Sequence, residues 1–144
     1  HMRAAALDWI THNTIWATGA CSPSEIDEMN ILNASLTAMT RAVQKLSRAP
    51  QFCLIDGNRL PPLLTGRAVV RGDAKSLSIA AASIIAKETR DKIMHELAAQ
   101  YPMYGWDKNS GYPTAEHLHA IEKYGINEHY RKTYKPVKER IQEK

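Results

Sequence analysis

Residues 51–73 read QFCLIDGNRLPPLLTGRAVVRGD, and this stretch decides the fold. Gln51 to Ile55 is a short, continuous apolar run that ends at Asp56. That pattern suits a buried strand with a carboxylate at its C-terminal end. Gly57-Asn58 turns the chain, and Pro61-Pro62 exclude helix and central strand from the loop that follows. Arg67 to Arg71 is a second short strand, followed directly by Gly72-Asp73. If the two strands are neighbours, Asp56 and Asp73 come to one edge of a sheet, where α/β folds place their sites.

Outward from this stretch the pattern is mostly helical. A long helix starts near Leu77 or Ser78 and runs to about Gln100. Its first half, SIAAASIIAKETRD, is rich in Ala and Ser, which lets a helix lie close to a sheet. Upstream, Ser22-Pro23-Ser24-Glu25 is a capping box with proline at the first helical position. The apolar stripe Ile26, Met29, Leu32, Leu36, Met39, Val43 and Leu46 carries that helix to about Leu46. Residues 3–12 form a short helix. Thr14 to Ala20, β-branched and aromatic, reads as a strand. Tyr101 to Tyr112 is a Gly/Pro/aromatic loop, and Thr114 caps a last helix that Gly125 ends. Long helices between short apolar strands make an α/β layer fold.

The 144 residues are 44% hydrophobic and 24% charged, which excludes a disordered chain. No apolar run approaches the ~18–20 residues that span a bilayer. There is no basic segment followed by an apolar one at the N-terminus, so no signal peptide is read there. Two cysteines are too few for a disulfide framework, and a reduced, cytoplasmic compartment is expected. His1-Met2 ahead of Arg3 reads as an expression scar, so the chain is expected to begin partway into a gene. The net charge of +4 belongs to residues 129–144, where Arg131, Lys132, Lys135, Lys138, Arg140 and Lys144 face only Glu139 and Glu143. Beside Tyr130 and Tyr134, this segment could track a phosphate backbone; a solvated, frayed end is the plainer alternative. The expected division is a domain over residues 1–128 and a basic segment over 129–144.

Asp56 and Asp73 are the most informative pair. Two carboxylates at one sheet edge can hold Mg²⁺ or Mn²⁺, which prefer hard oxygen ligands. A strand-end Asp beside Gly is also an ordinary turn residue. In the loop, Tyr104, Trp106 and Tyr112 sit among Lys108, Asn109 and Ser110, a mixture that can stack on a base or sugar; Tyr104 and Trp106 could equally be core anchors. Ser83 and Lys87 share a helix face and could reach a phosphate. The histidines make no zinc site, since His117 and His119 point apart and no HExxH or CxxC is present.

Five segments carry a resemblance: Glu25–Leu32 (EIDEMNIL), Leu54–Arg59 (LIDGNR), Val69–Asp73 (VVRGD), Ala81–Asp91 (AASIIAKETRD) and Gly111–Thr114 (GYPT). In this order they resemble bacterial ribonuclease HII, over nearly all of the chain from Arg3 to Lys138. The resemblance implies a ribonuclease H-like α/β fold, a mixed sheet flanked by helices. It implies endonucleolytic cleavage of RNA in RNA–DNA hybrids and at ribonucleotides embedded in duplex DNA, with four acidic residues and Mg²⁺ or Mn²⁺. Two of the four carry over, as Asp56 and Asp73, in catalytic and metal-binding roles. Tyr112 matches the family tyrosine that stacks at the RNA-to-DNA junction. Ser83 and Lys87 match a polar helix face near the substrate phosphates.

The sequence also departs from the family. The family begins with a strand bearing an Asp-Glu pair, followed by a Gly-Arg-Gly turn, and neither occurs here. Asp8, Glu25, Asp27 and Glu28 lie on helices, and Gly66-Arg67 lacks its second glycine. The expected fold therefore lacks the family's first two strands, with its remaining strand edges exposed and open to homo-oligomer formation. The expected function is a metal-dependent ribonuclease whose present chain is inactive alone. The alternatives are a non-catalytic hybrid-binding module, or a fragment that folds only as an oligomer.

Overall fold

The computed structural model describes residues 2–142. In chain order the elements are α1 (Met2–Asn13), α2 (Pro23–Met29), α3 (Ile31–Lys45), β1 (Cys53–Asp56), β2 (Gly66–Val69), α4 (Gly72–Lys75), α5 (Leu77–Gln100), a 3-10 turn (Pro102–Tyr104), α6 (Trp106–Asn109), α7 (Ala115–Tyr124) and α8 (Lys135–Gln142). The described residues divide into two units, one of 2–21 and 32–89 and the other of 22–31 and 90–142. No helix among the described residues is long and apolar enough to cross a membrane.

In the first unit, β1 and β2 pair in parallel, with Cys53 opposite Gly66 and Asp56 opposite Val69. They are the only paired strands among the described residues. Residues 57–65 make a short connection for parallel strands, which usually need a dozen or more residues. Pro61, fully buried, anchors it. Ile55, Ile79 and Ile85 are buried in this unit, while Phe52 and Leu54, beside and on β1, are 58% and 44% exposed.

Two sequence expectations are corrected here. Thr14 to Ala20 is not a strand. The segment lies against α3 and bonds to it rather than to a ladder: Arg41 donates to the Ala20 carbonyl at 2.8 Å, and the Cys21 thiol donates to the Ala34 carbonyl at 3.3 Å. The helix expected from Ser22 to Leu46 is two helices, broken at Asn30. That residue has φ 71° and its N–H closes α2 on the Ile26 carbonyl. Its ψ of 168° takes the chain out of helical geometry, so the stripe continues in sequence but not in one rod. The capping box at Ser22 and Glu25 is present as read.

The second unit is built on aromatic rings. Tyr104, Trp106, Ala120, Ile121, Tyr130 and Val137 are buried in one cluster with Ala98. Tyr104 and Trp106 stack at 4.9 Å between centroids, and the Tyr104 hydroxyl donates to the Gly125 carbonyl at 2.8 Å. Thr114 caps α7 by accepting from the His117 N–H, and Gly125, at φ 78°, ends it, both as the sequence indicates. Residues 129–142 are no frayed end: Tyr130 and Val137 belong to this core, and α8 follows.

Gly19 sets how closely the 14–22 segment approaches α3. A Cβ there would stand 2.1 Å from the Ala38 carbonyl oxygen and 2.5 Å from the Ala42 nitrogen, both rigid helix backbone. Gly19→Ala is expected to lower stability by about 3 kcal/mol, as overpacking against atoms that cannot move does. Urea unfolding checks this; a loss under about 0.5 kcal/mol, within the surface-substitution range, would mean the segment is not held there.

Candidate functional site

The parallel register sets the geometry of the carboxylates. Asp56 is the last residue of β1, and its partner Val69 is the last of β2, so Asp73 follows four residues past the same end. Both aspartates are exposed. One oxygen of Asp56 accepts the Gly72 N–H at 2.8 Å, which ties the end of β1 to the turn after β2. That turn is tight. Arg71 takes a left-handed conformation at φ 54°, and a Cβ on Gly72 would stand 2.5 Å from the Ile79 Cδ1. A side chain on residue 72 would have to displace the end of Ile79 and crowd the Asp56 oxygen at 3.3 Å.

Asp56 keeps a second oxygen beyond this bond, and Asp73 adds a carboxylate at the same sheet edge. Two hard oxygen donors in an exposed position fit a hydrated Mg²⁺ or Mn²⁺, which keeps most of its waters. Among the described residues no group of three or more His, Cys, Asp or Glu side chains could hold a metal. Ser83 and Lys87 lie one turn apart on α5, Ser83 half-buried and Lys87 exposed.

Tyr112 lies in the second unit and is 64% exposed. The loop that presents it is closely bonded. Asn109 donates to the Tyr104 carbonyl at 2.7 Å and accepts from the Gly111 N–H at 2.8 Å. Arg90 donates to the Ser110 carbonyl at 3.0 Å. Ser110 and Gly111 both have positive φ, at 51° and 85°, so the chain reverses just before the tyrosine. Tyr104 and Trp106, read from the sequence as stacking candidates or core anchors, are core anchors.

The basic segment is partly structural. Tyr130 is buried, Arg131 lies 4.3 Å from the centre of the Tyr134 ring, and Arg140 pairs with Glu122 at 3.4 Å. Lys132, Lys135 and Lys138 remain exposed. Asp27 anchors the segment, a role that sequence reading missed. Its carboxylate accepts from the Lys132 N–H at 2.9 Å, the Thr133 N–H at 3.0 Å and the Thr133 hydroxyl at 2.6 Å. Partial burial pushes this carboxyl up, but those bonds and the Arg131 charge outweigh it and hold it below the ordinary aspartate value.

This α/β fold has a solved counterpart. It is similar to the crystal structure of the ribonuclease H2 from Pyrococcus horikoshii OT3, with TM-score 0.65 and 28% identity, over 85% of this chain and 66% of that one. The fold is ribonuclease H-like. Residues 8–137 match the family model for Ribonuclease HII. Ribonuclease HII of Vibrio vulnificus (strain YJ016) is 53% identical over 141 residues, which cover 96% of this chain and 68% of that protein. Ribonuclease HII of Magnetococcus marinus is 57% identical over 125 residues, covering 84% of this chain and 59% of that protein. The chain belongs to the ribonuclease HII family of endoribonucleases.

The depressed Asp27 carboxyl gives a signed expectation. A folded value below 3.8 means the stabilisation is fully present above pH 3.8 and is lost as pH falls through the folded value. Near neutral pH, Asp27→Asn is expected to cost about 1 kcal/mol, the scale of a charge-assisted bond in a partly exposed setting. The gap from wild type should close in acid. A gap that stays constant below pH 3.8 would contradict the anchor.

Proposed function

We propose that this chain contributes to a metal-dependent endonuclease that cleaves RNA in RNA–DNA hybrids and at ribonucleotides embedded in duplex DNA. The observation that carries the reading is the pair Asp56 and Asp73 at the C-terminal end of β1 and β2, with Asp56 fixed by Gly72. These two side chains would hold Mg²⁺ or Mn²⁺. A divalent ion bound there supplies Lewis acidity toward water and toward the phosphate oxygens. Asp56, restrained through one oxygen, presents the other without reorganising. Lys87 and Ser83 contact substrate phosphates, and Tyr112 stacks on the sugar at the RNA-to-DNA junction. Lys132, Lys135 and Lys138 hold the backbone by charge.

The 144 residues supply two of the four acidic groups that such a site uses. Catalysis by this chain alone is therefore expected to be absent, and binding is the activity it retains. Among the described residues β1 pairs only with β2, and the proposed oligomer would pair a second copy along its other edge. A purely non-catalytic hybrid-binding role is the second reading. It is supported by the exposed Tyr112 ring and the exposed lysines of the basic segment.

The chain is expected to bind a duplex with one embedded ribonucleotide, with affinity that falls steeply with salt. Lys135→Ala with Lys138→Ala should reduce the slope of log K against log salt by about 2, one counterion per lost phosphate contact. With Mg²⁺ present, no cleavage should be seen. Robust turnover that disappears in Asp56→Asn would overturn the inactivity. Absence of any salt-dependent binding would overturn the substrate assignment.

A further inference from the structure

His117 is the one polar side chain among the described residues in the buried class, 3% exposed. Its ring has three neighbours that define its protonation. Nδ1 lies 2.8 Å from the Tyr112 carbonyl oxygen, which can only accept, so Nδ1 carries the proton. Nε2 receives the Trp106 indole N–H at 3.3 Å, and an indole nitrogen can only donate, so Nε2 is bare. The Tyr130 hydroxyl also lies 2.7 Å from Nε2. Burial and the neighbouring Tyr104 push the Tyr130 phenol well up, so it keeps its proton. The Tyr112 carbonyl requires a proton on Nδ1, and the Trp106 N–H aimed at Nε2 favours a bare nitrogen there.

The bond from Nδ1 falls on the backbone of the exposed tyrosine. The Tyr112 carbonyl also accepts the Thr114 N–H at 2.9 Å, and the Tyr112 N–H donates to the Asn109 carbonyl at 2.9 Å. Pro113 further restricts the tyrosine backbone, because the residue before proline is held out of the helical region. Tyr112 therefore has an exposed ring on a backbone tied at both ends. The His117 bond connects that backbone directly to a side chain packed in the buried aromatic core, and through Tyr130 to the start of the basic segment.

We infer that His117 is a positioning residue: its Nδ1–H holds the Tyr112 backbone so that the ring meets the substrate sugar in one orientation. The inference rests on the reading of Tyr112 as the junction-contacting residue. It adds a specificity role for a side chain that touches no substrate, and it makes the Tyr112 carbonyl and Trp106 the groups that set the tautomer.

The test uses the full chain in chelator-treated buffer, so the duplex stays intact. Its readout is the ratio of affinities for a duplex with one embedded ribonucleotide and the same duplex in DNA alone. Tyr112→Ala should remove the preference. His117→Leu should lower it about five- to tenfold, the scale of one buried hydrogen bond. His117→Asn, whose amide can replace Nδ1–H, should stay within about twofold of wild type. Equal losses in the Leu and Asn variants, or no loss in either while Tyr112→Ala loses the preference, would overturn the role of His117 and leave Tyr112 standing. No preference in wild type, or none lost in Tyr112→Ala, would overturn the Tyr112 reading and the role of His117 with it. Because His117→Leu buries unpaired donors and could unfold the second unit, the tautomer is also read on wild type. ¹⁵N–¹H correlation of the imidazole at neutral pH should show Nδ1 protonated and Nε2 bare, and the opposite tautomer would overturn the inference outright.

Discussion

The parallel pairing of β1 and β2, locked by the bond from the Gly72 N–H to Asp56, is the constraint on which the first unit depends. The register alone brings the two strand ends level. The bond then joins the end of one strand to the turn after the other, at 2.8 Å. Removing the carboxylate would free an N–H at a buried glycine and release the turn that carries Asp73. Structure and chemistry share one side chain here. Asp56 organises the edge with one oxygen, and in the proposed site it would offer the other to a cation, so a substitution that abolishes metal binding need not spare the fold. Asparagine, which keeps an acceptor for Gly72, separates the two effects better than alanine.

The second unit solves a different problem, presenting an exposed aromatic ring in a fixed place. A tyrosine on a free loop would lose conformational entropy on meeting substrate, and pre-organisation reduces that cost. The restraints come from Asn109, Thr114 and His117, and they are supported by a core of Tyr104, Trp106 and Tyr130. The segment that carries the net positive charge grows out of this core. Its lysines are displayed by an element seated by Tyr130 and Val137 and held by Asp27.

Much of this was legible in the sequence where a single physical rule decides. An apolar run ending in Asp gave β1, the Ser-Pro-Ser-Glu box gave the start of α2, and Thr114 and Gly125 gave the ends of α7. The reading failed where tertiary contacts override local preference. Thr14–Ala20 has strand-forming residues, yet it pairs with no strand among the described residues, and its Ala20 carbonyl accepts from Arg41 of α3 instead. Asn30 breaks a continuous stripe because one residue can adopt positive φ, which periodicity does not register. His117 does not stand out in the sequence, because a histidine two residues from another marks no metal site. The useful signal was its place three residues after the capping Thr114, which returns its ring to the Tyr112 carbonyl. Asp27 and Lys132 are too far apart in sequence for any local rule to pair them.

The central claim is that Asp56 and Asp73 act together on one divalent ion. Mn²⁺ titration of the intact chain, followed by electron paramagnetic resonance of the free ion, tests it without requiring cleavage. The account expects weak binding of Mn²⁺ that Mg²⁺ competes away and that is lost in both Asp56→Asn and Asp73→Asn, with the fold retained in each. Mn²⁺ binding that survives in the double variant, or that depends on only one of the two aspartates, would contradict it.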